Sequence, residues 1–118
     1  MRALERAQFD HVGFVTEERH EGETFVEVSQ CWVTNPRSHP LNVEYLRFEA
    51  SSLITGKLRT EPHIAYRVQD LNEAMASFPV LFGPFGVGEG FAVAAFVEID
   101  GIVVEFMQYT NPDEEGWF

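Results

Sequence analysis

PHIAYRVQDLNEAM, residues 62–75, reads as a strand that runs into a helix, and its first half repeats an earlier stretch, DHVGFVT at 10–16. A second pair behaves the same way: VEYLRF at 43–48 is echoed by VEFMQY at 104–109. Each copy carries an ionisable residue of the same type at the matched place, His11 against His63 and Glu44 against Glu105. A duplicated module can bring matched residues together about a pseudo-twofold axis, where two imidazoles and two carboxylates could hold a single metal ion. The pseudo-repeats cover about 8–50 and 61–110 of one domain, 1–118.

Outward from these stretches the periodicity is that of strands. FDHVGFVT, FVEVSQCWVT, NVEYLRFEA, HIAYRV, FAVAAFVEI and IVVEFMQYT are rich in β-branched and aromatic residues and end at turn signals, and PVLFGPF adds a short further strand. Asp100-Gly101 lies between two such runs and makes 91–99 and 102–109 antiparallel neighbours. The one helix follows Val68, with Asp70 as N-cap and LNEAMASF leading to Pro79. TEERHEGETF, its counterpart in the first half, has no apolar stripe at helical spacing, so that helix is reduced or missing. The spacing agrees: His11 and Glu44 are 33 positions apart, His63 and Glu105 are 42. GPFGVGEGF at 83–91 lacks the strand-to-helix context of a phosphate-binding loop; it reads as a hairpin connection needing positive φ, with a flap beside a cleft as the alternative.

Strand alternation groups the side chains. His11, Gly13 and Val15 share a face, as do His63, Ala65 and Arg67, which turns Val12, Phe14, Ile64 and Tyr66 toward the core. On the partner strands Glu44, Leu46 and Phe48 share a face, as do Glu105, Met107 and Tyr109. Gly13 and Ala65 leave room beside the imidazoles. Arg67, Met107 and Tyr109, on the faces of His63 and Glu105, are candidates for contact with a substrate, and Trp32 and Tyr45 could line an apolar cleft. His39, in a turn, and His20, in a charged run, read as solvent-facing.

At 118 residues, 45% of them apolar and eleven of them Phe, the chain suffices for one hydrophobic core. Its net charge of −11 argues against nucleic acid and anionic membrane surfaces as partners. MRALERAQFD has no apolar signal region and no run is long enough to span a bilayer. The longest uncharged stretch, AMASFPVLFGPFGVG, is broken by two prolines and three glycines. Cys31 is alone, so no intramolecular disulfide forms, and a cytoplasmic location fits.

DHVGFVT, PHIAYRVQDLNEAM and DGIVVEFMQY together resemble the vicinal oxygen chelate superfamily, which includes glyoxalase I, methylmalonyl-CoA epimerase, extradiol dioxygenases, fosfomycin-resistance proteins and bleomycin-binding proteins. The resemblance implies an α+β fold, two βαβββ modules whose sheets form a curved, half-open barrel. It places the family's metal ligands on His11, Glu44, His63 and Glu105, gives Glu105 a second role as base, and implies a homodimer. The chain departs from the pattern in its first helix and in its shortness, which disfavours the loops that clothe glutathione adducts or CoA thioesters.

Two imidazole nitrogens and two carboxylate oxygens without a thiolate suit a divalent ion such as zinc, nickel, cobalt, manganese or iron. Such a site favours proton transfer next to a carbonyl, through an enediolate, with Glu105 or Glu44 as proton carrier. The expected function is therefore a lyase, isomerase or epimerase acting on a small α-hydroxy or α-keto compound. The alternatives are a metal-free module that sequesters a small molecule, and a structural relic in which the four residues pair as buried ions. Oxygenase chemistry on a two-histidine, one-carboxylate triad ranks lower, because Glu44 would be left over.

Overall fold

Two strands of matched sequence form the middle of one sheet. β1 (Gln8–Val15) and β5 (His63–Arg67) run antiparallel, and each is flanked on its other side by a parallel partner, β4 (Val43–Phe48) beside β1 and β8 (Ile102–Tyr109) beside β5. β2 (Thr24–Val26) and β3 (Cys31–Val33) extend the sheet beyond β4, and β7 (Ala92–Ile99) and β6 (Val80–Val87) extend it beyond β8, giving the order β2-β3-β4-β1-β5-β8-β7-β6. The eight strands curl into a half-open barrel of the expected α+β class. This is a computed structural model that describes residues 7–118; Met1–Arg6, part of the stretch read above for a signal, lie outside the described residues. Among the described residues no helix is long and apolar enough to cross a membrane.

The helices are small. α1 (Lys57–Thr60) was not expected; it follows Gly56 at φ 70° and buries Leu58. α2 (Leu71–Met75) starts where the sequence places it, with the Asp70 carboxylate accepting from the Glu73 N–H. Leu71 and Ala74 pack on Val97, Val104 and Phe106, so α2 covers the outer face of β7 and β8. Residues 16–23, the counterpart in the first half, form bends and a turn without a helix. That absence corrects one expectation: Val12 and Phe14 face outward on β1, and with no helix above them Phe14 is 43% exposed. Ile64 and Tyr66 do pack against the core beneath α2.

FVEVSQCWVT, read as one strand, is a hairpin. β2 and β3 pair antiparallel from Thr24↔Val33 to Val26↔Cys31, and Gln30 takes φ 51° with its side-chain amide donating to the Glu27 carbonyl. PVLFGPF belongs to a longer strand than expected, an eight-residue edge strand. Gly88 and Gly90, both at positive φ, carry the chain from β6 into β7, so GPFGVGEGF ends in the hairpin connection. Asp100 and Gly101, at φ 55° and 79°, make the tight turn from β7 to β8.

Alternation along β7 and β8 separates two cores. Ala95, Val97, Val104 and Phe106 face α2, whereas Ala94, Phe96, Val103 and Met107 face the concave side. Phe106 is fully buried. Phe106→Ala should destabilise the chain by about 3–5 kcal/mol in denaturant unfolding; a loss below about 1 kcal/mol would mean that α2 does not seal that face.

Candidate metal centre

The four middle strands of the sheet each contribute one polar side chain to its concave face. Gly13 of β1 pairs with Glu44 of β4 on one side and His63 of β5 on the other. Ala65 of β5 pairs with His11 of β1 and Glu105 of β8. Two rows result, Glu44–Gly13–His63 and His11–Ala65–Glu105, each with a minimal side chain between its glutamate and its histidine. The four are buried, and one ligand atom from each lies within 4.8 Å of all the others. His11 Nε2 stands 3.3 Å from Glu44 Oε1 and 3.1 Å from Glu105 Oε1. His63 Nε2 stands 3.5 Å and 3.4 Å from the same oxygens and 3.3 Å from His11 Nε2.

Behind this cluster sits a residue the sequence reading did not single out. Asp10 is buried, and its carboxylate accepts from His11 Nδ1 at 2.7 Å, which leaves His11 Nε2 facing the glutamates. Neighbours in a strand normally point to opposite faces, but a register shift between Phe9 and His11 breaks the alternation at Asp10. Asp10 Oδ1 also accepts from Arg37 and from the Tyr109 hydroxyl at 2.7 Å, with Arg67 at 3.6 Å. The Arg67 guanidinium carbon lies 3.6 Å from the centre of the Tyr109 ring, and Arg67 donates to the Glu114 carbonyl.

The charges follow from these contacts. Burial works against the Asp10 carboxylate, yet the hydrogen bond and charge of His11, with Tyr109 and Arg37, hold its pKa down at about 2. Burial likewise opposes the Glu105 charge, and the hydrogen bonds from His11 and His63 overcome it, again to about 2. Burial disfavours a charged His11, but the Glu44 charge and the hydrogen bonds to Asp10, Glu105 and Glu44 raise its pKa well above 6.5. Burial and Asp10 push the Tyr109 hydroxyl up, so it stays a donor. Burial, then the Glu44 charge, lifts the Cys31 thiol to about 12, which makes it inert.

Glu44 and Glu105 form one end of a cavity of about 70 Å³ under the curl of the sheet. Met107 lines it, whereas Arg67 and Tyr109 do not; they converge on Asp10. Trp32 and Tyr45 also lie outside it, Trp32 beneath Arg47 and Tyr45 stacked on His20. Trp117, unassigned from sequence, lines the cavity and stands edge-on to His11 with ring centres 5.1 Å apart.

No protein-family model matches the chain, and no curated protein matches it. Its structure aligns with that of a hypothetical protein from Bacillus halodurans at a TM-score of 0.65 and 17% identity, covering 92% of this chain and 99% of that one. It aligns with methylmalonyl-CoA epimerase from Mycobacterium tuberculosis at 0.60 and 15% identity, over 88% and 89% of the two chains. A triple mutant of 4-hydroxymandelate synthase from Streptomyces coelicolor matches at 0.55 and 12%, over 94% of this chain and 50% of that one. At such identities what is shared is the fold.

Proposed function

We propose, from the vicinal oxygen chelate fold of this chain and its buried His11, Glu44, His63 and Glu105, that it holds one divalent ion, zinc, nickel, cobalt, manganese or iron, through those four side chains and acts as a lyase, isomerase or epimerase on a small α-hydroxy or α-keto compound. The spacing of the donor atoms supports this. Five separations among them fall between 3.1 and 3.5 Å. Four donors placed tetrahedrally about 2.1 Å from one centre stand about 3.4 Å apart. Imidazole and carboxylate held only by each other come closer, about 2.8 Å, as Asp10 and His11 do at 2.7 Å in the same cluster. The five separations match the spacing of a ligand shell, and four of them are longer than most hydrogen bonds, which favours the metal reading over a set of ion pairs.

The ion, when bound, supplies Lewis acidity that polarises a substrate carbonyl. Glu105 and Glu44, both on the cavity wall, are placed to take and return a proton at the adjacent carbon. Met107 is the substrate contact that lines the same wall, and we assign Arg67 and Tyr109 to holding Asp10. Asp10 in turn fixes the ring and tautomer of His11. Asp10→Asn should therefore weaken metal affinity by about 10–100-fold in a chelator competition titration; unchanged affinity would remove Asp10 from the site.

The division into pseudo-repeats of about 8–50 and 61–110 within one domain belongs to the same proposal, supported by the mirrored strand order about β1 and β5. So do a cytoplasmic homodimer and a small-molecule substrate, the dimer supported by the exposed Phe9 and Phe14 on the uncovered outer face. Elemental analysis after dialysis against mixed divalent ions tests the central claim. About one ion per chain is expected. None retained would overturn the enzyme and leave a metal-free sequestering module.

A further inference from the structure

Beside Glu44 and Glu105 the cavity is lined mainly by apolar side chains, among them Leu46, Phe48, Ile54, Leu58, Phe85 and Phe96, with Ser29 and the Cys31 thiol as the further polar groups and no lysine or arginine. A phosphate or carboxylate carried into such a space would lose its hydration and meet no cation there. Its volume of about 70 Å³ is less than half that of a cavity that accepts the six carbons of benzene, about 150 Å³, which leaves room for a chain of about three carbons. Trp117 closes one side, and its indole Nε1 is buried without an acceptor, alone in this among the side-chain nitrogens and oxygens of the described residues. No water-sized space lies beside that nitrogen, so the ring serves as an apolar wall between His11 and the cavity.

We infer that the site takes a molecule whose oxygen-bearing end lies at Glu44 and Glu105 and whose body is a short, uncharged, apolar chain filling the rest of the space. This rests on the metal reading, and it deepens that reading by naming the substrate class. No cation in the wall recognises an anionic tail, and Phe118, packed against Phe91 and Trp117, also lines the cavity.

Straight-chain alkyl hydroxamates, acetyl to octanoyl, test this by calorimetric titration into zinc-loaded protein, because their chelating end is constant. Affinity should rise about fourfold per methylene until about three carbons are buried and then level off. The monohydroxamate of succinic acid should bind at least about tenfold more weakly than butyryl hydroxamate. An affinity independent of chain length, or a succinyl compound that binds as well as the butyryl, overturns the apolar body. If the protein retains no metal, the proposed function fails separately. The same chain-length test is then made on metal-free protein with primary alcohols from ethanol to hexanol, read as a shift in melting temperature. A rise with length that levels off supports the apolar body, and no dependence refutes it.

Discussion

Replacing Glu105 with glutamine, or His63 with alanine, should abolish metal retention, and with it the metal-dependent rise in melting temperature expected of the unaltered protein. Glu105 would contribute one of the two negative charges that balance a divalent ion in the proposed site, and the amide of the glutamine variant is a far poorer ligand. An ion present at a thousand times its dissociation constant stabilises the folded chain by about 4 kcal/mol, a shift of more than about 10 °C for a domain of this size. Neither variant should respond to added metal. If the four residues were only buried ion pairs, metal would leave the unaltered protein's melting temperature where it was, and that result would reject the site. The dependence on pH separates the two cases by sign. In metal-free protein the raised pKa of His11 contributes stability that is fully present below about 6.5 and is lost as pH rises through the folded value. Glu105, depressed to about 2, contributes stability present above about 4.5 and lost as pH falls toward 2. With metal bound, protons compete with the ion, so stability should rise with pH across the range where the metal-free protein weakens.

The four side chains of the centre were legible because the sequence states them twice. Matched positions on duplicated strands fall on matched faces, and the register sets His11 and Glu105 in one row and Glu44 and His63 in the next. Asp10 was hidden by the same rule that revealed its neighbour. Alternation sends residues 10 and 11 to opposite faces, and only the irregularity between Phe9 and His11 brings both carboxylate and imidazole inward. The one hint was chemical: the first copy opens Asp-His where the second opens Pro-His. Phe14 was misplaced for a reason of cover. A strand has two faces, and which is buried depends on what lies above it; α2 covers the outer face near β8, and nothing helical covers it near β1. Trp117 lies outside every repeated stretch, and its place beside His11 is a tertiary fact with no periodicity to announce it.

Gly13→Ala should remove the metal and destabilise the chain by at least about 1–3 kcal/mol, although it adds a single methyl group. The backbone at Gly13 has no positive φ, so the penalty is purely one of space. A Cβ there would lie 2.0 Å from Cε1 of His63, 2.4 Å from its Nδ1 and 2.5 Å from its Nε2. The ring cannot step aside, since it is buried with Phe96 edge-on at 5.0 Å between centres and His11 edge-on at 5.4 Å. The imidazole must leave its position or the strands must part, and either outcome breaks the set of donor distances. Gly86→Ala is the control, because a Cβ on that strand meets nothing within 4 Å; it should change stability by less than about 0.5 kcal/mol and leave metal binding intact. Wild-type affinity and melting temperature in Gly13→Ala would mean that His63 does not stand against β1. The second row already carries the methyl that the first cannot, since Ala65 sits buried between His11 and Glu105. The two halves of the site are therefore not interchangeable: His63 leans across its neighbouring strand and His11 is held upright by Asp10, so the glycine belongs to the row whose histidine leans.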